Sequence, residues 1–267
     1  MLKLLCRRRR IVAAVVSGVL LQMTSLAFAG GMFGPPQTLS KKEGGINTAI
    51  AYRYAEETFQ SHTRQHTFRQ NQIYSQAAYG AANLWEVYGR VGVADLRISD
   101  AFASSRALTV VSKNDFEENW KFFGTLGGKL FYPATDWFGL GTFVQGTYHF
   151  SNYTDDIVGA YDATPFVADL KIKNLWDVHF GISLQVTILR SIKIYGGPYA
   201  YYAQAEACLP AAVPGLPPGA GDDVWKNKSS VGGFVGADVA LFKGFRLNIE
   251  GQYADHFSIG SAVTYTY

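Results

Sequence analysis

The last 23 residues, FRLNIEGQYADHFSIGSAVTYTY from Phe245 to Tyr267, contain the pattern that decides the fold. From Phe245 to Tyr253, apolar residues and glycine alternate with arginine, asparagine, glutamate and glutamine. After Asp255-His256 the alternation resumes, with larger side chains at most second positions and small or hydroxylic ones between them. Successive side chains of a β-strand point to opposite faces, so this period of two predicts two antiparallel strands that share one apolar face.

The same period of two recurs at distant places in the chain. It is clear over Trp85–Val93, Asn119–Leu130 and Trp176–Val186, where tryptophan and aliphatic residues occupy one face and charged residues the other. These stretches are close to the about 9 to 11 residues of a tilted transmembrane strand. With the weaker candidates, the pattern predicts an all-β chain of about ten strands. The weaker candidates are Gly45–Glu56, Phe68–Tyr79, Trp137–Phe150, Ile192–Glu206 and Asn227–Leu241.

The connections between these strands alternate between short and long. The short ones are residues 80–83, 133–136, 188–191 and 242–244, and the long ones are 60–66, 99–114, 151–169 and 208–225. The one exception is Asp255-His256, which is short where a long connection is due. Membrane barrels have short periplasmic turns and longer extracellular loops, whereas a soluble sandwich, the alternative fold, has no need of that order. We therefore predict a transmembrane up-and-down antiparallel β-barrel over residues 45–267, with both termini in the periplasm.

Residues 1–29 have the features of a cleaved secretory signal peptide. Four arginines end a basic region, an apolar stretch runs from Ile11 to Leu21, and Ala27-Phe28-Ala29 forms the cleavage site. The apolar stretch is shorter than the about 20 residues of a spanning helix, although an uncleaved anchor is the alternative. We expect Sec-type export, cleavage after Ala29, and a periplasmic N-terminal segment over residues 30–44.

Composition excludes several classes of protein. Hydrophobic residues make up 48% of the chain and charged ones 17%, which excludes a disordered chain. A mean hydropathy of +0.01 is too polar for a helical membrane bundle. Five of the 24 basic residues lie in the leader, which leaves 19 against 21 acidic ones and no basic footprint for nucleic acid. Cys208 is then the only cysteine, so we expect no internal disulfide.

If the apolar face meets lipid, the opposite face fills the lumen of the barrel. Its charged residues have both signs, and we expect paired, hydrated networks because an unpaired buried charge is costly. About ten strands enclose a lumen that side chains largely fill, whereas open porins use about 16 strands or more. The predicted lumen network consists of Arg53, Glu86, Arg90, Lys121, Lys129, Asp238, Arg246 and Glu250.

The five tryptophans fit two aromatic girdles. Trp85 and Trp137 fall at the predicted periplasmic ends of strands, and Trp120, Trp176 and Trp225 toward the extracellular ends. Amphipathic rings favour the headgroup level of a bilayer, which has two interfaces. Core aromatics of a soluble sandwich are the alternative interpretation.

The C-terminal strand, from Ser258 to Tyr267, resembles the terminal strand of Gram-negative outer-membrane β-barrel proteins. In that family an aromatic final residue follows apolar residues at alternate positions, and here Val263, Tyr265 and Tyr267 stand in those places, with tyrosine where phenylalanine is usual. The resemblance implies a multi-pass outer-membrane protein in contact with outer-membrane lipids and the barrel-assembly machinery. It implies no particular activity. We expect a monomer, and any extracellular ligand is unidentified.

One pair of residues suggests catalysis. Asp177 and His179 share the lumen side of one strand, and His149 faces inward on the preceding strand. A carboxylate that orients an imidazole can make it a general base. The pair resembles the Asp-x-His half of the omptin surface proteases, but the Asp-x-Asp half is missing, since Asp155 and Asp156 are adjacent. We predict no catalytic site, no metal and no cofactor, and an interior network is the alternative role for this pair.

Three functions follow from these features. The first is a structural or surface-binding barrel or narrow channel without a catalytic site, and the second is a small porin-like channel for polar solutes. The third is an omptin-like protease or lipid-modifying enzyme that uses Asp177 and His179.

The loop over residues 208–223 contains four prolines and cannot pair as a central strand. It is either folded over the barrel mouth or a disordered tip.

Overall fold

The structure is a computed structural model that describes residues 32–38, 44–61, 64–101, 110–161, 164–189, 191–208 and 223–267. The predicted signal peptide and most of the proline-rich loop lie outside these residues. In the part of the chain that is described, the regular elements are all β-strands. It contains no helix that is long and apolar enough to cross a membrane. The predicted all-β class is confirmed.

Thirteen strands follow one another along the chain. They are β1 (Gly45–Gln60), β2 (Gln65–Ala81), β3 (Trp85–Ile98), β4 (Val110–Val111), β5 (Phe116–Pro133), β6 (Phe138–His149), β7 (Tyr153–Tyr161), β8 (Thr164–Leu189), β9 (Ile192–Cys208), β10 (Asp223–Asn227), β11 (Val231–Phe242), β12 (Phe245–Tyr253) and β13 (Phe257–Thr266).

Ten of these strands close into a barrel. In the order β1, β2, β3, β5, β6, β8, β9, β11, β12 and β13, each pairs antiparallel with the next, and β13 returns to pair with β1. Closure provides every strand with hydrogen-bonding partners on both sides, which is what a sheet needs in lipid. The predicted ten-stranded up-and-down barrel is therefore the observed fold.

The barrel has a short-turn end and a long-loop end. At the short-turn end, connections of two to four residues join β2 to β3, β5 to β6, β8 to β9 and β11 to β12. At the other end lie the long connections. Two of these differ from the prediction. The connection predicted at residues 60–66 is only four residues long, because β1 ends at Gln60 and β2 begins at Gln65. Residues 151–169 form strand rather than loop over most of their length, since β7 pairs with the first part of β8 as a hairpin.

Side chains alternate between the outside and the inside of the barrel. On β5, Leu126 is 76% exposed, whereas Thr125 and Lys129 are buried inside. Exposed apolar side chains form a belt over the outer face, which includes Ile50, Val91, Phe122, Leu130, Val144, Phe180, Ile182, Val235 and Val263. Such a belt is the exterior expected of a barrel surrounded by acyl chains.

At the long-loop end the interior becomes apolar. Here β7 and β10 add to the sheet, and inward side chains from eight strands pack into one cluster. We call this cluster the apolar cap: Phe59, Phe68, Leu96, Ile98, Phe116, Tyr153, Ile157, Ala168, Leu170, Ile172, Leu175, Ala203, Ala205, Ala207 and Trp225. Burying one large apolar side chain contributes about 1.5 to 3 kcal/mol, so the cap stabilises this end and also fills it.

Trp225 differs from its predicted place in a girdle. It lies on β10 in the apolar cap, 6% exposed, and stacks on His66 with ring centroids 4.4 Å apart. The sequence pattern placed it at the end of the loop over residues 208–225, next to a predicted strand that begins at Asn227. Instead it lies on β10, a short strand whose inward face carries this ring. Trp85, Trp120 and Trp137 are exposed, and Trp176 is half-buried beside Tyr202.

Candidate functional site

A segment of the N-terminal region, residues 32–38, lies inside the barrel. We expected residues 30–44 to remain in the periplasm, but Met32, Phe33, Pro35, Pro36 and Thr38 are all buried. The segment runs from the short-turn end, beside Glu86 near the start of β3, to the middle of the lumen. We call it the lumen segment. Residues 39–43, which connect it to β1, are outside the described part of the chain.

Glu250, on the inner face of β12, binds the backbone of the lumen segment. Its two carboxylate oxygens accept hydrogen bonds from the amides of Phe33 at 2.7 Å and Gly34 at 2.8 Å. The Tyr195 hydroxyl and the Gln252 side-chain amide donate two further bonds, at 2.9 and 2.8 Å. A buried carboxylate needs such donors, because bonds to a charged group are about twice as strong as neutral ones.

Two cations bind carbonyl groups of the lumen segment. The guanidinium of Arg90 donates to the carbonyl of Met32 at 2.8 Å, and the Lys129 ammonium donates to that of Pro35 at 3.4 Å. Lys129 also lies 3.9 Å from Glu86, which accepts hydrogen bonds from Asn47 and Thr38. The wall therefore supplies an acceptor where the segment presents amides and donors where it presents carbonyls.

The side chain of Phe33 is anchored in an aromatic pocket. Its ring stacks on Phe143 with centroids 4.0 Å apart and packs against the edge of Phe234 at 5.0 Å. Tyr199 and His179 complete the pocket at 5.1 and 5.6 Å. Phe33 has 0% exposure. Offset and edge-to-face pairs of this kind contribute about 0.5 to 1.5 kcal/mol beyond the area that they bury.

Glycines in the wall make room for the lumen segment. A Cβ atom at Gly260 would lie 2.5 Å from Cγ of Met32, and one at Gly141 would overlap the ring of Pro36. Within the segment, Gly34 has φ of +73°, and a Cβ atom there would lie 2.8 Å from the Lys129 ammonium. Only glycine adopts this backbone conformation without strain. The wall and the segment are thus complementary in shape.

Above the lumen segment, toward the apolar cap, lies a second polar cluster. Nδ1 of His179 is 3.0 Å from a carboxylate oxygen of Asp177, and the His179 ring stacks on Tyr201. Arg53 lies 4.0 Å from Glu57 and donates to Gln72. The cluster surrounds a cavity of ≈ 20 Å³, which has room for about one water molecule.

His149, the third candidate catalytic residue, lines the same cavity as Asp177 but has a different polar partner. Its Nδ1 is 2.9 Å from the hydroxyl of Tyr153, and its ring packs on Phe123. Among the described residues, no group of three metal-ligating side chains converges. The structure thus brings Asp177 and His179 together in the interior and gives His149 a different partner.

The other predicted lumen residues form separate ion pairs. Arg246 binds Asp238 through two nitrogens near the short-turn end, where both oxygens of the buried carboxylate accept. Lys121 lies 3.7 Å from Glu118 at the long-loop end and is only half-buried. Glu86, Arg90, Lys129 and Glu250 differ from these pairs, because they contact the lumen segment.

The lumen segment was not predicted from the sequence, although its residue types suggest a segment that is anchored in a fixed conformation. Phe33-Gly34-Pro35-Pro36 combines a large anchor, a left-handed glycine and two residues that fix the backbone. A large apolar side chain such as Phe33 is not expected in a disordered periplasmic tether, because it would be exposed to water. No periodicity marks the segment, however, because it is neither strand nor helix, so the pattern that found the barrel passed over it.

No protein-family model and no curated protein matches the sequence. Among solved structures, the fold is similar to the outer membrane protease OmpT from Escherichia coli, with 10% identity, a TM-score of 0.45 and coverage of 87% of this chain and 100% of that one. An outer membrane channel from Pseudomonas putida F1 matches with 12% identity, a TM-score of 0.45 and coverage of 89% and 100%. The toluene transporter TbuX from Ralstonia pickettii matches with 11% identity, a TM-score of 0.40 and coverage of 91% and 95%. The fold assignment rests on the strand pairing, and no activity of these proteins is carried over to this chain.

Proposed function

We propose that this chain is an integral outer-membrane barrel with a closed interior, whose role is structural or surface-binding rather than catalytic. The observation that supports a closed interior is that the lumen is filled at two levels. Residues 32–38 occupy the half near the short-turn end, and the apolar cap occupies the long-loop end. The cavity of ≈ 20 Å³ between them and the cavity of ≈ 40 Å³ beside the lumen segment hold only a few water molecules each.

The outer surface supports the location. An apolar belt surrounds a closed sheet, and exposed tryptophans lie toward its two ends, at Trp85 and Trp137 on one side and Trp120 on the other. Water is a poor solvent for such a surface, whereas acyl chains with interfacial rings match it. The short-turn end then faces the periplasm, and the β7–β8 hairpin projects outside the cell.

Planar-bilayer recording on the refolded chain from Gly30 to Tyr267 tests the closed interior. We expect no discrete conductance steps once insertion is verified by protease protection, because the two fillings lie in series along the only path through the barrel. Reproducible steps from the wild-type protein would contradict this proposal. They would establish the second candidate, a narrow channel for small polar solutes.

One observation favours that second candidate. The lumen between the two fillings is lined by charges of both signs, such as Arg53, Glu57 and Asp177, which a purely structural barrel does not need. A solute would nevertheless have to displace both the lumen segment and the apolar cap. We therefore rank the channel second.

Catalysis by Asp177 and His179 ranks third. His179 is 2% exposed and lies between Tyr201 and the ring of Phe33, so a polypeptide or lipid has no access to it. We expect the wild-type protein to hydrolyse neither peptide nor lipid substrates. Hydrolysis that is lost in both Asp177→Ala and His179→Ala, with the barrel still folded, would reverse this ranking.

A further inference from the structure

We propose that the half of the lumen near the short-turn end is a binding site for a short uncharged peptide, and that residues 32–38 are its resident, exchangeable ligand. The site is built of Glu250, Arg90 and Lys129 for the peptide backbone, and of an aromatic pocket for one phenylalanine side chain. It does not depend on the membrane location or on the absence of conductance.

The backbone contacts are those of a ligand site rather than of a folded core. The segment forms no strand and no helix, and the described bonds to its backbone come from side chains of the wall. Carboxylate, guanidinium and ammonium groups each meet a backbone group of opposite polarity. These contacts bind backbone groups whatever the side chains are, so they supply affinity.

Selectivity comes from three side-chain features. The Phe33 pocket takes an aromatic ring, Gly34 fits a left-handed position against Lys129, and Pro36 fits against Gly141. The sequence from Met32 to Thr38, MFGPPQT, contains no ionisable side chain. An added charge on the peptide would be buried in the lumen at a high desolvation cost. The ligand class is therefore an uncharged Phe-Gly-Pro-Pro peptide.

The site opens at the short-turn end. A cavity of ≈ 400 Å³ lies there between Gln37 and Thr38 of the segment and the wall residues Lys193 and Arg246. The chain connects the segment to β1 at the same end, and the described contacts between the segment and the lumen wall are noncovalent. A second peptide can thus reach the site by the same route once the resident segment leaves it.

A trans-binding experiment on the full refolded chain tests the proposal. In the variant Phe33→Ala/Gly34→Val, the anchor is lost and a β-branched residue is strained at the φ of +73°, so the segment should undock. We expect a fluorophore-labelled MFGPPQT peptide with both termini blocked as uncharged amides to bind this variant one to one by fluorescence anisotropy. The wild-type protein, whose site is occupied, should bind it at least about tenfold more weakly.

The wall residue and the ligand provide matched controls. Adding Glu250→Ala to the undocked variant should weaken peptide binding by at least about tenfold, since two charge-assisted hydrogen bonds are lost. Adding Glu56→Ala, outside the lumen, should leave it unchanged. A peptide with alanine in place of phenylalanine should not compete. Equal binding to wild-type and undocked protein, or no binding to folded undocked protein, would overturn the proposal.

If the undocked variant fails to fold, hydrogen exchange on the wild-type chain decides instead. The amides of Phe33 and Gly34 should exchange slowly in the wild-type protein and in Glu56→Ala. In Glu250→Ala they should exchange at least about tenfold faster, with the strands still protected. Fast exchange of these amides in the wild-type protein would show that the segment is not bound, and the proposal would fail.

Discussion

At the scale of single residues, glycines on the inner wall lie where another group approaches the backbone closely. Several accommodate an aromatic ring of the neighbouring strand, as Gly127 does for Tyr88 and Gly236 for Tyr195. Gly141 and Gly260 instead accommodate the lumen segment. Since a strand is weakened by glycine, these positions are explained by the close approach of another group.

Gly141→Ala tests this fit. The new methyl group overlaps Pro36, so we expect a loss of about 1 to 3 kcal/mol in the free energy of unfolding, or release of the segment. Gly146→Ala on the same strand is the control, because its nearest contact would be 3.6 Å away. Urea unfolding in detergent measures both. Equal stability of the two variants would mean that Pro36 does not press on the wall.

His66 gives a pH dependence at the same scale. Burial, followed by the nearby Arg64, lowers the pKa of His66, which lies outside the membrane belt and stacks on Trp225. The folded state thus favours the neutral ring. Its contribution to stability is present above the unfolded pKa of about 6.5 and declines as the pH falls through the folded value.

We expect His66→Phe to reduce the acid sensitivity of the fold. Phenylalanine keeps a ring against Trp225 but takes up no proton. Between about pH 7.5 and pH 5, the wild-type protein should lose more stability in urea unfolding than the variant does. An identical loss in the two proteins would show that protonation of His66 does not oppose folding.

At the scale of strands, the two faces of each element have different requirements. On β5 the outward residues Phe122, Leu126 and Leu130 are exposed and apolar, while Thr125 and Lys129 face the lumen. A shift of one residue in pairing would exchange these sets, so the belt and the lumen together specify the register.

Leu126→Arg tests the outward face of β5. A charged residue near the midplane of the belt should reduce the free energy of insertion and folding by about 2 to 4 kcal/mol. Asn119→Arg, exposed on the same strand beyond Trp120, is the control and should cost about 1 kcal/mol or less. Refolding into lipid vesicles at a series of urea concentrations measures both. A larger effect at position 119 than at position 126 would show that the membrane midplane lies nearer Asn119, so that our assignment of the belt is wrong.

At the scale of the whole molecule, two fillings of different chemistry lie in series. The lumen segment is held by polar contacts and one aromatic anchor, whereas the apolar cap is held by packing. The cap residues come from eight strands, with the largest shares from β8 and β9. The two fillings therefore depend on different parts of the chain.

Conductance should require both fillings to be opened. Phe33→Ala/Gly34→Val alone, and truncation of the stacked pair in the cap by Phe59→Ala/Phe68→Ala alone, should each leave a planar bilayer silent. The combined variant should give discrete steps, because the cavity left in the cap then joins the vacated half of the lumen. Current through the first variant alone would mean that the cap is no barrier.

The barrel could be predicted from the sequence alone. Period two from Phe245 to Tyr267 and in the earlier strands sets which face meets lipid, and the order of short and long connections sets the up-and-down topology. These features are local, because neighbouring side chains of a strand always point to opposite faces. They can be recognised in the sequence without knowing which strands pair with each other.

The groups that fill the barrel could be identified only from the folded structure. Phe33, Glu250 and Arg90 are far apart in sequence, and closure of the ring brings them to one place. The same holds for Trp225, whose contact with His66 depends on β10 joining β1 and β9. Such contacts leave no period in the sequence, because the lumen segment has no regular structure and its partners come from separate strands.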